Sequence, residues 1–283
     1  MRASRLPRRL LVAVAALTVA VFTGAGFAPA PSAAATGSGP YPARYETDAT
    51  LRNHTIYRPA DLTTAPRLPI VVWGNGACRA DGTWFENFLS EIASRGYLVV
   101  ANGLPGGSGQ TQASWLTQSI DWAIRENSRL GSKYRGKLDT TKIAVMGQSC
   151  GGLEAIEVSG DRRITTTVVW NSGLFGTGAK LGLRNLTRPV AYINGGPSDI
   201  AYANAVDDFG KLPAATPAFF GALNGAGHFG TYGQPNGGEF AIVGTAWLDW
   251  QLKGSQTAAA QFVGAACGLC RDADWEVRQR NLR

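Results

Sequence analysis

Six short apolar runs recur along the chain: residues 68–73 (LPIVVW), 97–101 (YLVVA), 142–146 (KIAVM), 165–170 (TTTVVW), 189–193 (PVAYI) and 218–223 (AFFGAL). Each is too short for a typical helix and is rich in branched or aromatic residues. Each therefore reads as a strand buried on both faces. Helical patterns separate them. Trp84, Phe85, Phe88, Leu89 and Ile92 fall at helical spacing, and Gly96 closes that helix. Residues 112–130 repeat the pattern through Trp115, Leu116, Ile120, Trp122, Ala123 and Ile124 before Gly131, and residues 239–252 read as a closing helix. Buried strands alternating with helices predict an α/β protein with a mostly parallel central sheet covered by helices on both faces. Residues 45–57 are expected to add antiparallel edge strands. Only residues 171–188 lie between the fourth and fifth runs, too few for a large cap domain.

The front of the chain has a different logic. Arg2, Arg5, Arg8 and Arg9 precede an apolar stretch, residues 10–22, interrupted only by Thr18, and small residues follow up to Ala33, Ala34 and Ala35. Charged, apolar and small regions in that order predict a signal peptide over residues 1–35, and hence a secreted protein. A stretch of about 13 residues is shorter than the roughly 20 that a membrane span needs. Arg8-Arg9 hints at a twin-arginine signal, although its flanks fit poorly, and a second candidate cut follows Ala30. No later segment is expected to span a membrane. Residues 36–66 are read as an N-terminal segment and residues 67–283 as the main body, the two forming one domain.

Composition narrows the function classes. The formal charge of +7 includes the four front arginines; without them 23 basic residues face 20 acidic ones. Neither nucleic acid nor an anionic membrane is called for as a partner. With 45% hydrophobic and 17% charged residues the chain is not disordered, and its 36 glycines lack the three-residue period of collagen. Cys78, Cys150, Cys267 and Cys270 are an even set, which in an exported chain points to disulfides, with three pairings open. Cys267-Gly-Leu-Cys270 is read as a structural bridge of the tail. A zinc site there would need two more ligands, and the chain has only two histidines.

The third run leads into Gly147-Gln148-Ser149-Cys150-Gly151-Gly152, a G-x-S-x-G turn ahead of the helical start Leu153-Glu154-Ala155-Ile156. A sharp strand-to-helix turn needs small residues beside it and lifts the serine hydroxyl clear of the sheet. Ser149 is therefore the candidate nucleophile, ahead of its neighbour Cys150. Its base must be His54 or His228. His54 sits in an early edge strand, whereas His228 lies in a glycine-rich loop at a strand's carboxyl end, where open parallel sheets build their sites. Asp199, just past the fifth run, is the expected orienting acid. Asp207 and Asp208 are placed on the next helix as solvated residues. The oxyanion donors are expected to be the N–H of Cys150 and that of Asn75, with Gly76 as the alternative. Cys78 would then flank the same hole as Cys150, and a bridge between them would fix its two halves.

These segments together resemble the α/β-hydrolases, nearest to the secreted polyesterase–lipase–cutinase group that includes PET hydrolases, with dienelactone-hydrolase-like and chlorophyllase-like esterases next. The resemblance rests on IVVWGNG, EIASRGYLVVANG, KIAVMGQSCGG, the turn at residues 195–199, GAGHFG, TAWLDWQL and QFVGAACGLC. It implies the α/β-hydrolase fold, with the triad in the order Ser149, Asp199, His228. It also matches Asn75 to the second oxyanion donor and Trp170 to an aromatic residue lining the acyl cleft. The chain departs from the group at Gln148 and Cys150, where His and Met are common, and at Asn75, where a bulky aromatic is common.

The resemblance implies a serine carboxylesterase working through an acyl-enzyme, on an ester substrate, with no metal or cofactor, as a monomer. An open cleft without a cap suits bulky or polymeric esters, with Trp84 and Trp115 as further wall candidates. Two other classes remain: an acyltransferase using the same triad, and a non-catalytic binding protein on the same fold.

Overall fold

The computed structural model describes residues 35–283. The expected export segment, apart from its last residue, lies outside them. Nine strands form one sheet: β1 (Ala43–Asp48), β2 (Leu51–Pro59), β3 (Leu68–Gly74), β4 (Leu98–Asn102), β5 (Leu138–Gln148), β6 (Thr166–Trp170), β7 (Val190–Asn194), β8 (Ala218–Leu223) and β9 (Trp275–Arg280). Their order across the sheet is β1-β2-β4-β3-β5-β6-β7-β8-β9. The six strands from β4 to β8 pair in parallel, and β1, β2 and β9 run antiparallel at the two edges. All six apolar runs of the sequence are strands of the parallel part.

Alternation along these strands divides the core. Val71, Trp73, Val99, Ala144, Met146, Val168, Trp170, Ala191 and Ile193 face one side, where α1 (Glu86–Ser94) and α6 (Gly238–Lys253) pack through Phe88, Leu89, Phe240 and Trp247. Ile70, Val72, Val100, Ile143 and Val145 face the other side with α2 (Ala113–Ser128), and α3 (Cys150–Val158) joins them through Ala155. Val190, Tyr192 and Phe220 extend that side toward α5 (Tyr202–Lys211). Both faces are covered, as strands without a polar face require. Between β6 and β7 stand only α4 (Gly176–Ala179) and a six-residue 3-10 segment, Lys180–Asn185, so no cap domain forms there. A short α7 (Gln256–Ala259) follows α6. Among the described residues no helix is long and apolar enough to cross a membrane.

β9 was not among the predicted strands. Its sequence, WEVRQR, alternates apolar or amphipathic with charged residues, as an edge strand with one solvated face does. Every residue of β9 pairs with β8, and Trp275 packs against Gly221 and Phe240.

Candidate active site

Ser149 stands between β5 and α3, with φ 52° and ψ −116°. A non-glycine residue rarely adopts that backbone, and surrounding contacts must hold it there. They do: its N–H donates to Trp170 O at 2.9 Å, and its carbonyl accepts from Gly152 N–H and from Ser172 Oγ at 2.6 Å. The turn is tight enough that a Cβ on Gly147 would overlap the Gly151 carbonyl, and one on Gly151 would overlap the carbonyl of Gly74. Both flanking positions thus require glycine. Cys150 begins α3, so its N–H has no acceptor within the helix.

His228 lies past β8 in a loop where Gly225, Gly227 and Gly230 all have positive φ. Such a loop needs external ties. Gly227 N–H donates to Gly195 O at 2.8 Å, Gln148 Nε2 to His228 O at 2.9 Å, and Asn171 Nδ2 to Gly227 O at 3.0 Å. The imidazole then spans two partners: Nδ1 lies 2.7 Å from Asp199 Oδ1 and Nε2 lies 3.0 Å from Ser149 Oγ. An ionised carboxylate only accepts, so Nδ1 carries the proton and the Nε2 lone pair faces the serine hydroxyl. His54, the other histidine, is fully buried in β2, with its ring nitrogens against the carbonyls of Arg52 and Trp115.

Asp199 follows β7 and is buried. Burial alone would raise its carboxyl. Donation from His228, from Ala201 N–H, from Asn171 and from Gly195 N–H outweighs it and holds the group below the usual carboxylate value. Asp207 and Asp208 do lie on α5, but Asp208 is not solvated. Its carboxylate is fully buried, pairs with Lys180 at 2.5 Å and accepts Leu174 N–H at 2.8 Å, anchoring the β6–β7 connection.

A cleft of about 400 Å³ opens at the serine, lined by Ser149, Cys150, Leu153, Phe175, Ile200 and His228 among others. Phe175 and Ile200 are largely exposed, giving it an apolar rim. A larger hollow of about 580 Å³ lies at the opposite strand ends near Pro189 and Pro217 and contains none of these reactive groups.

Trp170, expected in the cleft wall, lies elsewhere. It has no exposed surface and packs against Phe88 and Phe240. As the last residue still paired in β6, its side chain follows strand alternation onto the α1–α6 face. Trp84 is partly exposed and Trp115 packs on His54; neither lines the cleft. Asn75 is fully buried: its Oδ1 accepts Trp73 Nε1, and its Nδ2 reaches the carbonyls of Arg79, Asp81 and Asn102. Gly76 is buried too, whereas the next residue, Ala77, at φ 51°, is exposed. The loop sits directly on α3, and the disulfide Cys78–Cys150 joins the two with Cα atoms 5.2 Å apart. Cys267 and Cys270 pair with each other. Among the described residues no group of three or more His, Cys, Asp or Glu side chains converges to hold a metal ion.

The sequence reading missed Asn171 and Tyr232, which support Asp199, and Gln148 as the tie on the histidine loop. The one local signal was an asparagine directly after a buried strand, a type that tolerates left-handed backbone.

No family model matches the chain. It is 26% identical over 232 residues to cutinase est1 of Thermobifida alba, an alignment covering 78% of this chain and 72% of that cutinase.

Proposed function

Taking as premise that the chain is a carboxylic ester hydrolase with the α/β-hydrolase fold, similar in sequence to a cutinase, we propose that Ser149, His228 and Asp199 carry the hydrolysis in a secreted enzyme. The observation that carries this reading is the continuous hydrogen-bonded chain from Ser149 Oγ through the imidazole to Asp199. His228 Nε2 takes the serine proton as Oγ attacks the ester carbonyl, and Asp199 stabilises the imidazolium formed. The oxyanion faces the Cys150 N–H and a second N–H from the loop over Asn75, Gly76 and Ala77. His228 returns the proton to the leaving alcohol. It then activates water to release the acid from the acyl-serine, so two easier steps replace one difficult step.

An uncapped cleft with an apolar rim, Leu153, Phe175 and Ile200, suits esters whose acyl or alcohol part is bulky and apolar. A polyester chain of the cutin type fits that description. Export through residues 1–35 agrees with two disulfides among the four cysteines.

The test is hydrolysis of p-nitrophenyl esters, from acetate to long acyl chains, by the mature protein and by Ser149→Ala. Loss of about 1,000-fold or more in kcat is expected for the variant. Equal activity in both would remove Ser149 from the mechanism.

A further inference from the structure

We propose that Asn171, held in place by Tyr232, is the positioning residue that locks Asp199 and the His228 loop into one unit. The inference rests on the Ser149–His228–Asp199 reading and extends it to a residue outside that triad.

Both polar atoms of the Asn171 side-chain amide have partners. Asn171 Nδ2 has two hydrogens and two acceptors: Asp199 Oδ2 at 2.7 Å and Gly227 O at 3.0 Å. Its Oδ1 accepts the Tyr232 hydroxyl at 2.5 Å. No polar atom is left over for substrate, although the residue lines the cleft. One amide therefore ties the loop that carries the acid to the loop that carries the base.

Asp199 and the Gly227 carbonyl decide which way the amide points: both can only accept, so Nδ2 must face them, and the flipped amide would set an oxygen against each. Oδ1 then faces Tyr232, whose hydroxyl donates to it and holds the amide plane in place. The phenol itself cannot drift. Its ring is buried among Trp73, Phe85, Phe88 and Phe240, with centroids 4.9 to 6.2 Å away. Burial also pushes its hydroxyl well above the ordinary value, so it remains a neutral donor.

The backbone supports the same role. Asn171 has φ 41°, a left-handed conformation that asparagine tolerates better than most residues. That conformation breaks the alternation of β6, so the side chain reaches Asp199 at the strand's carboxyl end.

Removing the amide leaves Asp199 held by Gly195 N–H, Ala201 N–H and His228. Fewer donors then share its charge, so it draws the His228 proton more strongly. The acidic limb of the pH profile moves to higher pH while substrate binding is unaffected.

The experiment compares wild type, Ser149→Ala, Asn171→Gly and Tyr232→Phe on p-nitrophenyl butyrate, recording kcat, KM and the pH dependence of kcat/KM. Glycine accepts the positive φ, so Asn171→Gly removes the amide without backbone strain. The expected result is a KM within about twofold of wild type, a kcat lower by about 10- to 100-fold, and an acidic limb displaced upward. Tyr232→Phe should shift both in the same directions by less. A wild-type kcat in Asn171→Gly, or an acidic limb unmoved in both variants, overturns the inference. Should Asn171→Gly not fold, an unmoved limb in Tyr232→Phe alone overturns it. Activity retained in Ser149→Ala overturns the triad reading itself; an inactive Ser149→Ala beside an unchanged Asn171→Gly overturns only the role given to Asn171.

Discussion

At the scale of single residues, Gly151 sets a local rule against a packing rule. In an exposed helix, replacing glycine with alanine gains up to about 1 kcal/mol, because glycine loses the most backbone freedom on folding. Gly151 is the second residue of α3, so propensity alone predicts a stabilised variant. Its missing Cβ, however, would overlap the Gly74 carbonyl and stand 2.7 Å from Asn75 N, both rigid backbone. Overpacking of this kind costs about 1–3 kcal/mol, so Gly151→Ala should be destabilised, with reduced esterase activity because the displaced loop is the one facing Ser149. Urea unfolding gives the sign. The same scale shows what could be read from sequence. Ser149, Asp199 and His228 were singled out by position, because a strand end and a short loop leave few alternatives, and the fold brings the three side chains within hydrogen-bonding distance. Trp170 was misplaced because a strand's final residue obeys alternation as long as it remains paired. Asn171 was invisible because its three hydrogen-bond partners lie 28, 56 and 61 residues away along the chain.

At the scale of elements, the strands were legible because burial on both faces leaves an unbroken apolar signature. β9 was not, since half of its residues are charged and its identity depends on β8 being there to receive it. The disulfides illustrate the same dependence on partners, as sequence left three pairings open. They also make a testable contrast. Cys78–Cys150 spans 72 positions and joins the loop after β3 to the first residue of α3. Cys267–Cys270 spans three. On the chain-entropy account, the long closure is worth about 4 kcal/mol and the short one about half of that. The double variant Cys78→Ser/Cys150→Ser should therefore unfold at clearly lower urea and lose kcat, because Cys150 N–H and the facing loop are no longer pinned together. Cys267→Ser/Cys270→Ser should lose less stability and keep its kcat. Equal losses of kcat in the two double variants would show that the bridge beside Ser149 has no special part in the site.

At the scale of the whole molecule, acid stability is a balance between carboxyls whose environments pull in opposite directions. Glu154 on α3 is buried without a cation; burial raises its carboxyl, and the Thr111 and Asn102 hydrogen bonds only partly offset this. Its charged form is a cost at neutral pH that eases as the pH falls. Glu46 is the opposite case. Burial would raise it, but hydrogen bonds from Arg58, Lys133 and Tyr134 prevail and bring it from 4.5 down to about 2. Those three partners come from β2 and from the connection between α2 and β5, so one carboxylate on the edge strand β1 ties together segments 88 residues apart. A group that ionises more easily folded than unfolded contributes its full stabilisation above the unfolded value. That contribution is then lost as the pH falls from about 4.5 toward about 2. Glu46 is partly solvent-exposed and Lys133 more so, which screens the interaction, so Glu46→Gln should cost about 1–3 kcal/mol at pH 7. The gap between variant and wild type should narrow steadily below pH 4.5. Urea midpoints at pH 7, 5 and 3 measure it. A gap that stays constant over that range would mean that Glu46 acts through packing and neutral hydrogen bonds, with its charge contributing nothing to holding β1 on the sheet.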